Sequence, residues 1–169
     1  DNRLIKHDAS DGSFVWEYTG HSDDIEGVAV SDDGQYVWTA SEDGTMHKLN
    51  ASDGSLIWKY SGCTEDWFVS GSETHYLIEV DVDSDGNAYV GGETGKLHKV
   101  DKDGNNVWVV TPLSGYPITD IHVDRLRNRI YVIAGQMQAY CYDSNGNQKW
   151  VKYIGYYSRK IRVDDMGNW

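Results

Sequence analysis

The chain has 169 residues, a formal net charge of −12, and 7 Trp and 12 Tyr residues but only 2 Pro. This aromatic content excludes a disordered chain, and no apolar run approaches the roughly 20 residues that cross a bilayer, so no membrane insertion is expected. The acidic charge disfavours binding to nucleic acid and to anionic membrane surfaces, because both carry negative phosphates.

The predicted elements are short strands separated by Asp-Gly turns. Residues 1–20 predict two strands, and the next repeat predicts four, named A to D in chain order. The turns follow from Asp-Gly pairs, which adopt positive φ at little cost. No segment has the 3.6-residue period of an amphipathic helix, so little or no helix is expected. The four strands of that repeat are predicted at residues 25–31, 35–41, 45–50 and 55–60.

Two patterns repeat along the chain. Four segments end in Gly-x-x-x-Trp, and their Trp residues are 42, 50 and 42 positions apart. Four others run from an apolar alternation into an Asp-rich turn, with Val anchors 52, 41 and 40 positions apart. A period near 42 predicts four short strands per repeat. The Trp residues are Trp16, Trp58, Trp108 and Trp150, and the Val anchors are Val30, Val82, Val123 and Val163.

A four-stranded antiparallel sheet at this period predicts the blade of a β-propeller. The predicted fold is all-β, a β-propeller of about four blades of four antiparallel strands. The Trp of each repeat is expected to pack on the backbone of a neighbouring blade, which explains the Gly four residues before it. The chain is predicted to be a single repeat array over residues 1–169, with repeats at roughly 1–20, 21–62, 63–115 and 116–155 and a partial repeat at 156–169.

Closure of the propeller has two alternatives. Either the last blade is completed by both termini in a closed four-blade ring, or the chain is a segment of a larger propeller. The chain starts at Asp1 without an initiator Met and its last repeat stops as strand B begins, which favours the segment. A segment would expose unpaired strand edges, so self-association through open blade edges is expected.

The repeats resemble two known propeller families. The Gly-x-x-x-Trp segments, preceded by Asp8, Asp101 and Asp143, resemble the quinoprotein or PQQ-like repeat. Residues 20–50 resemble a WD40 repeat through Gly20-His21, although Leu49-Asn50 stands where that family has Trp-Asp. This mixed character resembles PQQ-like repeats of bacterial and archaeal secreted proteins and of phage virion proteins. The resemblance implies a propeller fold and an extracellular or virion-associated setting.

The enzymes of the quinoprotein family oxidise alcohols or sugars with PQQ and Ca²⁺. This chain resembles them in the repeat only, because it lacks adjacent cysteines and positions that match their catalytic Asp and calcium ligands. No Gly-x-Ser-x-Gly or P-loop motif is present, so no catalytic residue is predicted. The favoured function is a non-catalytic scaffold with a binding face. A fragment of a PQQ-dependent dehydrogenase and an envelope assembly scaffold that docks peptides are the alternatives.

The predicted binding face lies in the connections from strand D to the next strand A. The connection at residues 61–76 is about eight residues longer than the others and contains apolar aromatics. Aromatic residues on one loop face suit a protein partner or a cell-surface glycan; the alternative is that they fold back to plug the channel. The predicted ligand-binding residues are Trp67, Phe68, Tyr76, Tyr116, Tyr156, Tyr157 and Arg159.

One candidate metal site is present. Asp81, Asp83 and Asp85 alternate before Gly86, as in a calcium loop, but the twelfth position is Gly92 instead of a bidentate Glu. A plain A–B hairpin turn is the favoured alternative, and no other cofactor is expected. Cys63 and Cys141 are 78 residues apart with no metal-binding spacing, so two free thiols or one disulfide stay open.

Overall fold

The computed structural model describes residues 1–63, 76–164 and 166–169, and its regular elements are fourteen β-strands. None of the described residues belongs to a helix long and apolar enough to cross a membrane. The strands are β1 (Leu4–His7), β2 (Phe14–Tyr18), β3 (Ile25–Val30), β4 (Tyr36–Ser41), β5 (Met46–Asn50), β6 (Leu56–Tyr60), β7 (Leu77–Val82), β8 (Ala88–Gly92), β9 (Leu97–Val100), β10 (Asn106–Val110), β11 (Ile118–Asp124), β12 (Arg129–Ala134), β13 (Gln138–Asp143) and β14 (Gln148–Tyr153).

The strands form four antiparallel sheets. Strands β3–β6, β7–β10 and β11–β14 each form a four-stranded meander in chain order, and β1 pairs only with β2. We call the three large sheets blades 1, 2 and 3, and the β1–β2 pair the half-blade. The half-blade corresponds to strands C and D of a repeat, because Lys6 pairs with Trp16 as Lys48 pairs with Trp58 in blade 1. The predicted all-β architecture of about four repeats is confirmed.

The core lies between neighbouring sheets. Every residue of β8 is buried, and so are five of the six residues of β4 and of β12, because these inner strands are covered on both faces. Outer strands such as β2 and β14 are largely exposed. One buried cluster joins Trp38 of blade 1 to Val80 and Val82 of blade 2. Each blade therefore buries its apolar surface against the next one, as stacked repeats do.

A Trp and a Lys connect each sheet to the following one. The indole Nε1 of Trp16 and the ammonium of Lys6 both donate to the carbonyl of Ala51, at 3.0 and 2.7 Å. The Trp16 ring also packs on Gly54, where an added Cβ would come within 2.9 Å of ring atoms. The same pair of donors recurs as Trp58 and Lys48 on the Lys102 carbonyl, and as Trp108 and Lys99 on the Ser144 carbonyl. This is the Trp-on-glycine packing that the repeats predict.

The loops form two faces. The B–C turns contact the D–A connections on what we call the upper face, where the Gly135 amide donates to Pro117 and the Ser158 amide to Gln136. The A–B and C–D turns meet on the lower face, where the Ala51 amide donates to Gln35. The predicted binding residues that the structure describes belong to the upper face, and the predicted calcium loop belongs to the lower face.

The two outer sheets end differently from the internal ones. Gly12 occupies the turn position of Gly54, but nothing lies within 4 Å of an added Cβ there. At the other end, Trp150 stacks on Trp169 with ring centroids 5.1 Å apart. Cys141 pairs with Trp150 at the position that Lys occupies in the other sheets.

Candidate functional site

The predicted aromatic residues within the described ranges lie in several D–A connections of the upper face. Tyr76 is half-buried and its carbonyl accepts from the Glu93 amide of a B–C turn. Tyr116 is 47% exposed and lies against Gly135. Trp67 and Phe68, the other predicted aromatic residues, fall within residues 64–75, outside the part of the chain that the structure describes.

The last D–A connection carries the most exposed aromatics. Tyr156 and Tyr157 are 73% and 81% exposed. Tyr153, at the end of β14, packs edge-on against Tyr156 with ring centroids 6.0 Å apart. We call these three residues the tyrosine patch. Sequence reasoning missed Tyr153, although its place at the end of strand D and beside the connection could have indicated it.

A buried carboxylate holds this connection in place. Asp120 of β11 has no exposed surface and accepts hydrogen bonds from the Ile161 amide, Lys160 and Arg162. Lys160 also bridges to Glu79 of blade 2, at 2.6 Å. A buried charge is stabilised only when it is paired, so these contacts fix the chain that follows the tyrosine patch. Arg159, another predicted binding residue, stays exposed beside them.

The predicted calcium carboxylates point to separate partners. Asp81 accepts from the Val123 amide at 2.8 Å and pairs with Arg125 of blade 3. Asp83 is buried and accepts from Asn87 and from the hydroxyl of Tyr89. The carboxylates of Asp81 and Asp83 therefore both make structural contacts in the blades, as expected if this segment is a plain A–B hairpin turn. Calcium binding at Asp81, Asp83 and Asp85 stays a prediction.

Among the residues that the structure describes, one group of His and Asp side chains is close enough to share a metal ion: His21, Asp43 and His47. His21 bonds Asp43 through Nδ1 at 2.9 Å and Thr39 through Nε2 at 2.7 Å. His47 bonds the Tyr18 hydroxyl at 2.8 Å. The two imidazole rings stack with centroids 3.7 Å apart, so their nitrogen lone pairs run in parallel planes instead of converging on one ion. The arrangement is best explained as a hydrogen-bonded anchor of the D–A connection.

The pKa values of this cluster are displaced. Burial, together with the neighbouring His21, lowers the pKa of His47 to about 4. Burial also lowers the pKa of His21, against the opposing effect of Asp43. For Asp43 burial raises the pKa, but hydrogen bonds from Thr45 and His21 outweigh it and bring the pKa to about 2. Neutral imidazoles and an ionised carboxylate are therefore the forms that the fold stabilises.

Both cysteines are free and buried. Burial raises the pKa of the Cys63 thiol to about 12 and also raises that of Cys141. A buried thiol with a raised pKa is a poor nucleophile. Neither cysteine provides a reactive centre.

Comparisons with known proteins show the fold. No protein-family model matches the chain, and no curated protein matches it. The crystal structure of BamB from Moraxella catarrhalis matches with a TM-score of 0.67 and 19% identity, over 91% of this chain and 43% of that chain. The β-propeller domain of Cps50 (Swd1) from Myceliophteria thermophila matches with a TM-score of 0.77 and 12% identity, over 98% of this chain and 53% of that one. The chain spans about half the length of each of these structures, and it has the β-propeller fold.

Proposed function

We propose that this chain is a non-catalytic β-propeller scaffold whose upper face binds an acidic segment of a protein partner. The observation that carries the proposal is Tyr157. Its backbone has a φ of 66°, a left-handed conformation that costs a non-glycine residue about 1–2 kcal/mol. Its ring is nevertheless 81% exposed. Strain of this kind is typical of functional sites, and exposed Tyr side chains are typical interface anchors.

The charge around the tyrosine patch supports an acidic partner. Residues 144–163 contain no Asp or Glu, although the whole chain has a net charge of −12. Lys152 and Arg159 are exposed and flank the patch along the sequence. A local basic surface on an acidic protein attracts a negatively charged segment by charge complementarity. Arg and Tyr together are the residue types most enriched in interface centres.

The setting and the absence of catalysis are further parts of the proposal. We place the protein outside the cell or on a virion, because the mixed repeat resembles those of secreted and virion proteins. A fragment of a PQQ-dependent dehydrogenase would reduce a dye acceptor when PQQ, Ca²⁺ and an alcohol are added. We expect no dye reduction under these conditions.

Selection from a phage-displayed library of random dodecapeptides tests the binding face. We expect the chain to enrich peptides rich in Asp and Glu, with affinities that fall as salt is raised. The test variant combines Tyr157→Asn with Arg159→Ala. Asn tolerates the left-handed conformation, so the variant is expected to fold. We expect it to bind the selected peptides at least tenfold more weakly.

Leu126→Ser is the matched control, because Leu126 is 79% exposed but lies in an A–B turn of the lower face. It should bind the peptides as the unchanged chain does. Enrichment of peptides without acidic residues, or equal binding by the Tyr157→Asn/Arg159→Ala variant, would contradict the proposal. A glycan partner at this face would appear as a lack of peptide enrichment.

A further inference from the structure

The junction between the half-blade and blade 1 contains two buried histidine side chains that face each other. The imidazole rings of His21 and His47 stack with centroids 3.7 Å apart and an interplanar angle of 10°. His21 lies in the D–A connection that leads into blade 1, and His47 lies in β5. Their exposed fractions are only 3% and 1%. The tyrosine patch belongs to a different connection, so the inference drawn from this stack does not rest on the proposed function.

The hydrogen bonds of His21 assign its tautomer. The ionised Asp43 carboxylate can only accept, so His21 Nδ1, which is 2.9 Å from it, has the proton. His21 Nε2 therefore has the lone pair, and it accepts from the Thr39 hydroxyl at 2.7 Å. Both nitrogens of a neutral His21 ring are satisfied in this way.

The tautomer of His47 follows from its contact with Thr45. The Thr45 hydroxyl donates to Asp43 at 2.5 Å, so its oxygen accepts from His47 Nε2 at 3.1 Å. His47 Nδ1 therefore has the lone pair, and it accepts from the Tyr18 hydroxyl at 2.8 Å. Because Tyr18 is the last residue of β2, this bond ties the half-blade to blade 1 through an uncharged imidazole.

This arrangement disfavours a proton on His47. A proton on Nδ1 would face the hydroxyl hydrogen of Tyr18, which would have to turn away. The new charge would be buried against the His21 ring, and two imidazolium ions at 3.7 Å repel each other. The other charged groups that act on both rings are Asp43 of the B–C turn, which favours their protonation, and Lys59 of β6, which opposes it.

The half-blade covers apolar surface of blade 1. Its side chains pack on a buried cluster that consists of Val37, Leu49 and Ala51. A two-stranded hairpin is marginal in water by itself, so its position depends on its contacts with blade 1. When the hairpin opens, His47 loses its hydroxyl partner and gains water, which solvates the charged ring. Opening and proton uptake therefore favour each other.

We propose that the stacked imidazoles form an acid-sensitive lock on the half-blade. At neutral pH the uncharged His47 ring holds the Tyr18 hydroxyl, and the hairpin stays on blade 1. As the pH falls, protonation of the pair breaks this bond, and β1 and β2 separate from blade 1 while blades 2 and 3 stay folded. The apolar surface beneath the hairpin is then exposed to solvent.

The junction between blades 1 and 2 shows what the second ring adds. Tyr60 bonds His98 Nδ1 at 3.0 Å, which repeats the bond between tyrosine and histidine of the half-blade junction. In the D–A connection, however, Cys63 follows Gly62 where His21 follows Gly20. The buried Cys63 thiol, with its pKa raised to about 12, stays uncharged at neutral and acidic pH. The stacked pair of titrating rings is therefore particular to the half-blade junction among the described residues.

Amide hydrogen exchange of the full chain, measured on peptic fragments, tests the lock. The readout is the protection factor, the exchange rate of an unstructured peptide divided by the measured rate, so the direct effect of pH on exchange cancels. The pKa of His47 is about 4 in the closed form and 6.5 when exposed, which favours opening about 30-fold at pH 5. We expect the protection factor of residues 4–18 to fall at least tenfold from pH 7 to pH 5. Residues 129–143 should stay at least tenfold better protected than residues 4–18 at both pH values.

Two matched variants assign the pH dependence to the stack. His47→Gln removes the titrating group but keeps an amide oxygen that can accept from Tyr18. We expect it to reduce the fall in protection between pH 7 and pH 5 at least threefold. The control is His7→Gln, because His7 is an exposed histidine of the half-blade itself, and this variant should show the full fall.

A third variant, Tyr18→Phe, removes the bond without removing either imidazole. We expect its residues 4–18 to be about fivefold less protected than those of the unchanged chain at pH 7, the effect of one hydrogen bond. Circular dichroism at pH 7 confirms that each variant is folded.

Four results would overturn the proposal. The first is a protection factor of residues 4–18 that is the same at pH 7 and pH 5. The second is equal protection of residues 4–18 and 129–143 at pH 5, which would show that the whole molecule unfolds together. The third is an equal pH effect in His47→Gln and His7→Gln, and the fourth is unchanged protection in Tyr18→Phe at pH 7.

Discussion

At the scale of single residues, the glycines of the internal C–D turns lie against the Trp ring of the preceding sheet. Gly54 has a φ of 74°, and an added Cβ would lie 2.9 Å from atoms of the Trp16 ring. Gly12 has nearly the same φ, 75°, but open space around the same position. The two positions therefore separate backbone strain from steric conflict.

We expect Gly54→Ala to lower the free energy of unfolding by about 3 kcal/mol, because it adds a clash with the indole to the strain of a left-handed alanine. Gly12→Ala should lower it by about 1 kcal/mol, from strain alone. Urea denaturation followed by circular dichroism measures both. Equal losses in the two variants would show that the Trp16 contact does not limit the turn.

The cluster of His21, Asp43 and His47 predicts how stability depends on pH. The unfolded chain protonates His47 near its ordinary pKa of 6.5, whereas the folded chain keeps it neutral until pH about 4. Stability contributed by the neutral imidazole is therefore full above pH 6.5 and is lost as the pH falls towards 4. Asp43, whose folded pKa is about 2, loses its contribution only below its ordinary value of 3.8.

We expect the free energy of unfolding to fall by about 2 kcal/mol between pH 7 and pH 4.5, mostly through His47 and His21. In His47→Gln the decrease should be about half as large. The control is His7→Gln, because His7 is exposed in the half-blade. Denaturation at a series of pH values gives the slopes, and an unchanged slope in His47→Gln would be inconsistent with this assignment.

At the scale of elements, the half-blade is the least supported sheet. An isolated two-stranded hairpin is marginal in water. In the described chain, the half-blade side chains that bond blade 1 are Lys6 and Trp16, both on the Ala51 carbonyl, and Tyr18 on His47. These few contacts predict that β1 and β2 can open without the rest of the chain.

Trp16→Ala should release the half-blade. We expect amide hydrogen exchange at residues 4–18 to rise at least tenfold, while β11–β14 exchange as before, because blade 3 does not contact Trp16 through any described bond. Exchange measured by mass spectrometry on peptic fragments resolves the two regions. A uniform rise across the chain would mean that the half-blade unfolds only with the whole molecule.

The elements were predictable from sequence because their causes are local. The strands predicted at 35–41 and 45–50 are β4 and β5 within a residue or two, since Asp-Gly turns mark their ends. The Trp-on-glycine packing was also predictable, because both partners repeat at fixed spacing. The tyrosine patch was not fully predictable, because it depends on how Tyr153 and Tyr156 meet in space, and no sequence pattern records that contact. The stacking of His21 on His47 likewise depends on three-dimensional register.

At the scale of the whole molecule, the two end sheets carry complementary surfaces. Trp150 is the last indole of the series and Gly12 the first glycine turn, and within the described part of the chain neither makes the Trp-on-glycine contact of its internal equivalents. A second copy of the chain can bring these surfaces together head to tail. Contacts of this type form a ring where the rotation closes and an open series where it does not, so masses that are multiples of one chain are expected.

Light scattering should show particle masses that rise with concentration in steps of 19.1 kDa. Trp150→Ala should shift the distribution towards the single chain, because it removes the ring that would pack on Gly12 of another copy. Leu126→Ser, an exposed change away from both ends, serves as the control. A constant 19.1 kDa at all concentrations would exclude association through the end sheets.

The paired Trp and Lys donors also bear on how such a chain can change its length. Every internal junction uses the same connector, two donors on one sheet and a carbonyl beside a glycine on the next. A duplicated or deleted repeat would therefore meet a compatible neighbour on either side. Repeat number can change in one genetic step without new interface residues, while Cys141, which replaces the connector lysine, makes blade 3 the least interchangeable unit.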